Sequence, residues 1–141
     1  PRAWLEEGSL DFSFSGLKSA VLNYLNQCKM KGISWHVPDV AAGFQEAVVE
    51  VLTEKAVLAA EIKGVPRIIL AGGVAANLRL REMLQEKAGR KKIRVYWPSP
   101  VLCTDNAAMI GCAAFFKYQR GEFSDLTLNA VPHEQLFRSV K

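Results

Sequence analysis

With 141 residues, 50% of them hydrophobic, and a formal charge of +4, the chain is sized for one modest core and falls short of a comfortable two-domain protein. No run of about twenty apolar residues is free of charge and no basic, apolar leader opens the chain, which points to a soluble, cytoplasmic protein rather than a membrane or secreted one. Cys28, Cys103 and Cys112 form no CxxC pair; they suit a reducing compartment and disfavour a zinc ribbon or a disulfide framework.

The chain opens Pro1-Arg2-Ala3-Trp4 without Met, which predicts a processed or excised piece. Residues 1–10 show no period and read as a loop. Asp11 to Gly16 alternates large apolar and small polar side chains, the pattern of a short strand with one buried face. Ser15 and Gly16 stop it, and a short helix over residues 17–24 places Leu17, Ala20, Val21 and Tyr24 or Leu25 on one face. Residues 26–35 read as a loop, and His36-Val37-Pro38 marks a helix boundary.

Asp39 is then the candidate cap of the longest helix, residues 41–63. Its stripe of Phe44, Ala47, Val48, Val51, Leu52, Ala59 and Ile62, broken by Lys55, predicts a helix that covers a sheet. Gly64 and Pro66 end it. Residues 67–71 follow as a short β-branched run, read as a buried central strand. Gly72 and Gly73 turn the backbone, and Leu78, Leu80, Arg81 and Leu84 restart at helical spacing. Beyond the basic run Arg90-Lys91-Lys92, residues 93–97 predict a second parallel strand ended by Pro98. The alternation of helix and strand is that of a βα repeat in a doubly wound α/β sheet. After a loop, residues 107–115 form a helix rich in small residues, suited to close packing, and Gly121 closes it. The tail offers Leu126, Leu128, Val131, Leu136, Phe137 and Val140 for packing on the body, with Pro132 its one strong signal. No repeat, low-complexity tract or linker is visible.

Chemistry has three candidate places. Gly72, Gly73 and Asn77 lie beyond the carboxyl end of a strand, where α/β folds commonly bind ligands; they fit neither GxxxxGK[ST] nor GxGxxG, and the alternative is a structural turn with Asn77 as helix cap. Thr104-Asp105-Asn106 is a polar cluster before an apolar helix: Asp105 either caps that helix or faces the same crevice and holds a cation. Ser15, Gly16 and Lys18 form either a local anion-binding turn or an ordinary strand end. His36 and His133 form no HxxxH or HExxH, Cys103 reads as a buried small hydrophobe, and no GxSxG elbow is present. The positive excess between Arg79 and Arg94 suits a nucleic-acid partner or a solvated helix end.

Four blocks together carry more than any one of them: Asp11-Phe12-Ser13-Phe14-Ser15-Gly16-Leu17-Lys18, Ala41-Ala42-Gly43-Phe44-Gln45, Ala71-Gly72-Gly73-Val74-Ala75-Ala76-Asn77, and Cys103-Thr104-Asp105-Asn106-Ala107-Ala108-Met109-Ile110. In this order they closely resemble the carboxyl-terminal part of the tRNA threonylcarbamoyladenosine transferase family, TsaD in bacteria, once described as an O-sialoglycoprotein endopeptidase. The resemblance implies an actin-like, Hsp70-like (ASKHA) fold of two α/β lobes around a nucleotide crevice. It implies transfer of threonylcarbamoyl from threonylcarbamoyl-adenylate to N6 of adenosine 37 in tRNAs reading codons that begin with A. By family pattern Asn77 contacts the adenylate or another adenine nucleotide, Gly72 and Gly73 form the loop against it, Ser15 and Gly16 belong to a nearby loop, and Asp105 ligates iron or zinc. No catalytic general base is evident. The partners implied are tRNA, a paralogous non-catalytic subunit (TsaB-like) and an ATPase subunit (TsaE-like).

The family's metal site also uses an HxxxH pair from a preceding portion, which His36 and His133 do not match. The whole chain, residues 1–141, thus reads as a carboxyl-terminal part lacking the amino-terminal lobe, inactive by itself. Ala107 stands where the family usually has Gly. Two other readings stand beside this one: a sugar- or acetate-kinase-like ATPase, and a non-catalytic interaction module. Nothing supports the older protease name.

Overall fold

Pro66 and the β-branched Ile68 and Ile69 favour extended backbone, and the Gly72-Gly73 pair lets the chain reverse into a helix, so the centre of the sequence folds as strand, turn, helix. The computed structural model describes residues 1–131. Its elements are α1 (Ser15–Met30), α2 (Val37–Ile62), β1 (Arg67–Ile69), α3 (Leu78–Arg90), β2 (Arg94–Tyr96) and α4 (Ala107–Gln119), with 3-10 turns at Gly73–Ala76 and Pro100–Leu102. Two units are distinguished, Pro1–Asp105 and the part from Asn106 onward. Pro132, His133, Leu136, Phe137 and Val140 lie outside the described residues.

In the first unit β1 and β2 pair in parallel, with Ile68 opposite Val95, and α3 is the crossover between them. This is the expected βα repeat, in an α/β arrangement with a two-stranded sheet. Val57, Ala60, Leu84, Ala88 and Ile93 form one core cluster against Ile68, Leu70 and Val95, and Val49, Leu80 and Met83 form a second that also touches Leu70. Leu70 therefore joins the two. The expectation of a buried central strand needs correction: Ile68 and Val95 turn to the helices, whereas Ile69 and Tyr96 are 75% and 45% exposed. The period of two puts alternate residues on opposite faces, and α2 and α3 cover one face only.

Three further expectations change. Residues 11–14 are irregular rather than a strand, because the Asp11 carbonyl takes its hydrogen bond from Lys55 Nζ at 2.5 Å instead of from a neighbouring strand. Lys55, buried on α2, also lies over the Phe12 ring at 5.6 Å. Ser15 starts α1, and that helix continues through 26–30, because Gln27, Lys29 and Met30 are sound helix formers and no breaker comes before Gly32. Finally, α2 begins ahead of Asp39, with His36 at the cap position, since the fixed φ of Pro38 suits a first helical turn. Asp39 falls in that turn and pairs with His36 Nδ1 at 3.2 Å.

The four helices among the described residues end in the same way, with a residue of positive φ one past the cap: Gly32, Gly64 and Gly121 at three of them, and Lys92 at φ 58° after α3. There the Ile93 N–H donates to the Ala88 carbonyl at 2.9 Å and the Lys92 N–H to the Gly89 carbonyl at 3.0 Å, the paired bonds of a Schellman turn. In the second unit α4 is capped by Asn106, whose Oδ1 accepts from the Met109 N–H at 3.0 Å. No residue of α4 is buried among the described residues.

Glutamates on one face of α2 register with cations of α3: Glu46 with Arg79 at 2.6 Å, Glu54 with Lys87 at 2.6 Å, and Glu61 with Lys91, just past the end of α3, at 2.7 Å. Arg79 binds Glu46 through both Nε and Nη2, and this hydrogen bonding holds the Glu46 carboxyl below its ordinary range, with burial opposing. A depressed carboxylate stabilises the fold above its unfolded pKa and loses that contribution as pH falls through the folded value. The urea midpoint of the parent is accordingly expected to drop more steeply than that of Glu46→Gln as pH falls through and below the usual carboxylate range. Lys92→Gly, by contrast, relieves a left-handed non-glycine residue and is expected to raise unfolding stability by about 1 kcal/mol at neutral pH, read from the same urea titrations.

Candidate functional site

Parallel pairing puts the carboxyl ends of β1 and β2 at the same edge of the sheet, and the two polar loops start there. After β1, the Leu70 N–H closes the ladder on the Tyr96 carbonyl at 2.8 Å. The chain then passes Gly72 at φ 83° and ψ 172°, a region open essentially to glycine alone. Gly73 starts the 3-10 turn with an ordinary φ, and a methyl group built on it meets nothing within 4 Å. Both glycines border open space, and only Gly72 is required by its backbone.

Asn77 closes the turn and caps α3: its Oδ1 accepts from the Leu80 N–H at 3.1 Å, and its Nδ2 donates to Gln45 Oε1 on α2 at 3.1 Å. The cap anticipated from sequence is present. A carboxamide has two N–H donors, and the Gln45 bond uses one of them. Beside this pair lies a groove of about 320 Å³ lined by Ala41, Phe44, Gln45, Val48, Val49, Leu52, Val74 and Asn77. Its walls are apolar and its only polar side chains are the two carboxamides. That is the chemistry of a site for a flat, weakly polar ring, in which apolar faces bury the ring and amides meet its edge.

The second loop runs from β2 through Pro98 and the 3-10 turn to Cys103. One side chain ties it to the glycine turn. Arg81 of α3, 8% exposed, donates through Nε to the Ala75 carbonyl, and through Nη2 to the Pro98 carbonyl at 3.5 Å and Cys103 Sγ at 3.3 Å. Its guanidinium also lies 5.7 Å from the centre of the Trp97 ring. Cys103 is 2% exposed, a buried thiol as expected. Two residues on, Asp105 is exposed. Asn106 takes the capping role that Asp105 was a candidate for, so the Asp105 carboxylate is not needed by the helix.

Ser15 and Gly16 are placed elsewhere in the first unit. They open α1 behind Phe14, which makes no side-chain cap, Ser15 Oγ lies 3.2 Å from Ser13 Oγ, and Gly16 lines a different cavity with Arg2, Trp4 and Leu17. No hydrogen bond among the described residues joins them to the glycine turn. His36 is engaged by Asp39. Among the described residues no three His, Cys, Asp or Glu side chains converge as a metal site, and no helix is long and apolar enough to cross a membrane.

Gln45 and Arg81 are the residues whose roles sequence reading missed. Arg81 did carry a signal: it falls among Leu80, Met83, Leu84 and Ala88 on the buried face of α3, where a charge has to be satisfied by specific partners. Gln45 carried little, being one polar residue near the start of a long helix.

The family model for TsaD, tRNA N6-adenosine threonylcarbamoyltransferase, matches residues 1–112. The chain belongs to the TsaD family. All four sequence blocks fall within the match, which sets aside the kinase-like alternative. Proteins named tRNA N6-adenosine threonylcarbamoyltransferase from Clostridium beijerinckii, Moorella thermoacetica and Clostridioides difficile are 54%, 56% and 57% identical to it over 136, 132 and 133 residues. These matches cover 96%, 94% and 94% of the chain but 40%, 39% and 39% of the relatives. The chain therefore spans about two fifths of the length of the TsaD relatives it matches.

If the Asn77 side chain is the TsaD cap seen here, Asn77→Ala should lower stability by about 1 kcal/mol. Asn77→Asp keeps an oxygen for the Leu80 N–H and should stay near the parent; thermal melts of the three proteins compare them directly.

Proposed function

We propose that this chain is the adenylate-holding part of an enzyme that moves the threonylcarbamoyl group from threonylcarbamoyl-adenylate to N6 of adenosine 37 in tRNA. The groove between α2 and the turn at residues 72–77 carries the reading: Phe44, Val48 and Val74 sandwich the adenine and the carboxamides of Gln45 and Asn77 meet its edge, while Gly73, outside the groove's lining, leaves open space beside the turn for the rest of the ligand. Ser15 and Gly16 enter through the family resemblance of their loop. In the complete protein the two-lobed actin-like (ASKHA) architecture closes the crevice from the other side. The enzyme works in the cytoplasm on tRNA, together with a TsaB-like subunit and a TsaE-like ATPase.

In this reaction the exocyclic amine of the tRNA base attacks the carbamoyl carbon, a C–N bond forms, the bond from that carbon to the phosphate oxygen breaks, and AMP leaves. None of the residues lining the groove is ionisable. Their contribution is to bind the leaving nucleotide and fix its direction, so that the scissile bond meets the amine in one orientation.

Asp105 fits an iron or zinc ion as one ligand: it is an exposed hard-oxygen donor released from capping, whereas the Cys103 sulfur is buried against Arg81. When bound, such an ion supplies positive charge to carbonyl or phosphate oxygens. The remaining ligands come from the HxxxH segment of the complete protein.

Gly73→Ala separates this reading from a purely structural turn. Its melting temperature is expected to match the parent, because the added methyl meets open space, while calorimetric titration of the complete protein with AMP should show about tenfold weaker binding, roughly 1.4 kcal/mol. Unchanged AMP affinity in Gly73→Ala would remove the turn at Gly73 from the site.

A further inference from the structure

Arg81 has a second peculiarity. Its guanidinium is buried, yet among the described residues no carboxylate lies within 4.0 Å of it. Its acceptors are neutral: two backbone carbonyls and a sulfur, with the Trp97 ring nearby. A buried cation without a counter-ion costs several kcal/mol unless its geometry is very good, and an aliphatic side chain would pack α3 without that cost. The three acceptors belong to two loops: Ala75 in the glycine turn, and Pro98 and Cys103 at the start and end of the loop after β2, Cys103 two residues before Asp105. A planar fork holds its donors in fixed directions toward all three, whereas a lysine ammonium gathers its three rotatable donors on one nitrogen and does not fix that geometry.

We propose that Arg81 is a positioning residue that sets the separation between the turn at residues 72–77 and the loop at residues 103–105, so that one ligand is held at its nucleotide end by the first and at its metal-bound end by the second. This rests on the proposed roles of Asn77 and Asp105. Arg81 touches neither the substrate nor the metal. Its action is to keep the two half-sites in register, and its loss uncouples them while each keeps its local structure.

The test uses the complete protein with Arg81→Lys and Arg81→Met, measuring melting temperature, AMP affinity without metal, zinc affinity by chelator competition, and kcat and KM for the adenylate. Arg81→Lys is expected to hold AMP within about threefold of the parent. Zinc affinity should fall about tenfold or more, in the range seen when support of a metal ligand is removed. The kcat should fall with little change in KM, because ground-state binding survives and alignment does not. Parallel losses of AMP and zinc affinity that track melting temperature would make Arg81 merely structural and overturn the proposal, as would an Arg81→Lys enzyme with parent zinc affinity and kcat. If Arg81→Met does not fold, Cys103→Ala removes the arm to residues 103–105 and leaves those to Ala75 and Pro98; it should weaken zinc without weakening AMP, and an unchanged zinc affinity counts against the proposal. Asp105→Ala distinguishes the two levels. Parent-like zinc binding in that variant would sink the assignment of Asp105, and the Arg81 proposal with it; loss of zinc there with retention in Arg81→Lys sinks the Arg81 proposal alone.

Discussion

The buried guanidinium of Arg81 is the constraint on which the arrangement of the loops depends. Two three-residue strands supply very little ladder, and a pair of short parallel strands is weakly specified by its own hydrogen bonds. The loops beyond them are held by a side chain from the crossover helix that reaches both. Because α3 leaves the first loop at Asn77 and carries Arg81 about one turn later, the element that connects the strands also fixes the spacing between the loop after β1 and the loop after β2. The low dielectric around a buried cation strengthens each of these bonds, and makes losing one expensive.

α2 gives that assembly its wall. It is buried along several sides at once, from Ala47 to Ala60, because α1, α3, β1 and the segment around Asp11 all pack against it. Its glutamates also change what the basic composition means. Arg79, Lys87 and Lys91 are paired with α2, and Arg90 with Glu86 in its own helix. Four cations of the basic cluster are thus engaged in ion pairs. The exposed pair Arg67 and Arg94, side by side in the parallel register, with Lys92 next to them, are cations outside those ion pairs.

The division between backbone and ligand demands is clearest at the two glycines. Gly72 has a conformation that a side chain would strain, which a fold needs whether or not anything binds. Gly73 has neither positive φ nor a crowding neighbour, so the backbone there makes no demand for glycine.

By itself the sequence determined the strand–turn–helix–strand core, the parallel neighbour strand, a helix from residue 107 read to 115 where the structure carries it to 119, and the family, because these rest on local periodicity, breakers and motif spacing; it offered Asn77 as a cap beside a ligand-binding alternative. It misjudged residues 11–16 as a strand and β1 as buried on both faces. Alternation says which residues share a face but not whether a partner strand or a covering layer exists. It placed Asp39 and left Asp105 open as caps where the structure uses His36 and Asn106, since choosing between adjacent residues depends on where the first turn actually begins. Only tertiary structure decided that Gln45 meets Asn77, that Lys55 holds the Asp11 carbonyl, and that Arg81 bridges Ala75, Pro98 and Cys103. Those contacts join residues far apart in the chain, and no local pattern encodes which distant carbonyl a buried charge will find.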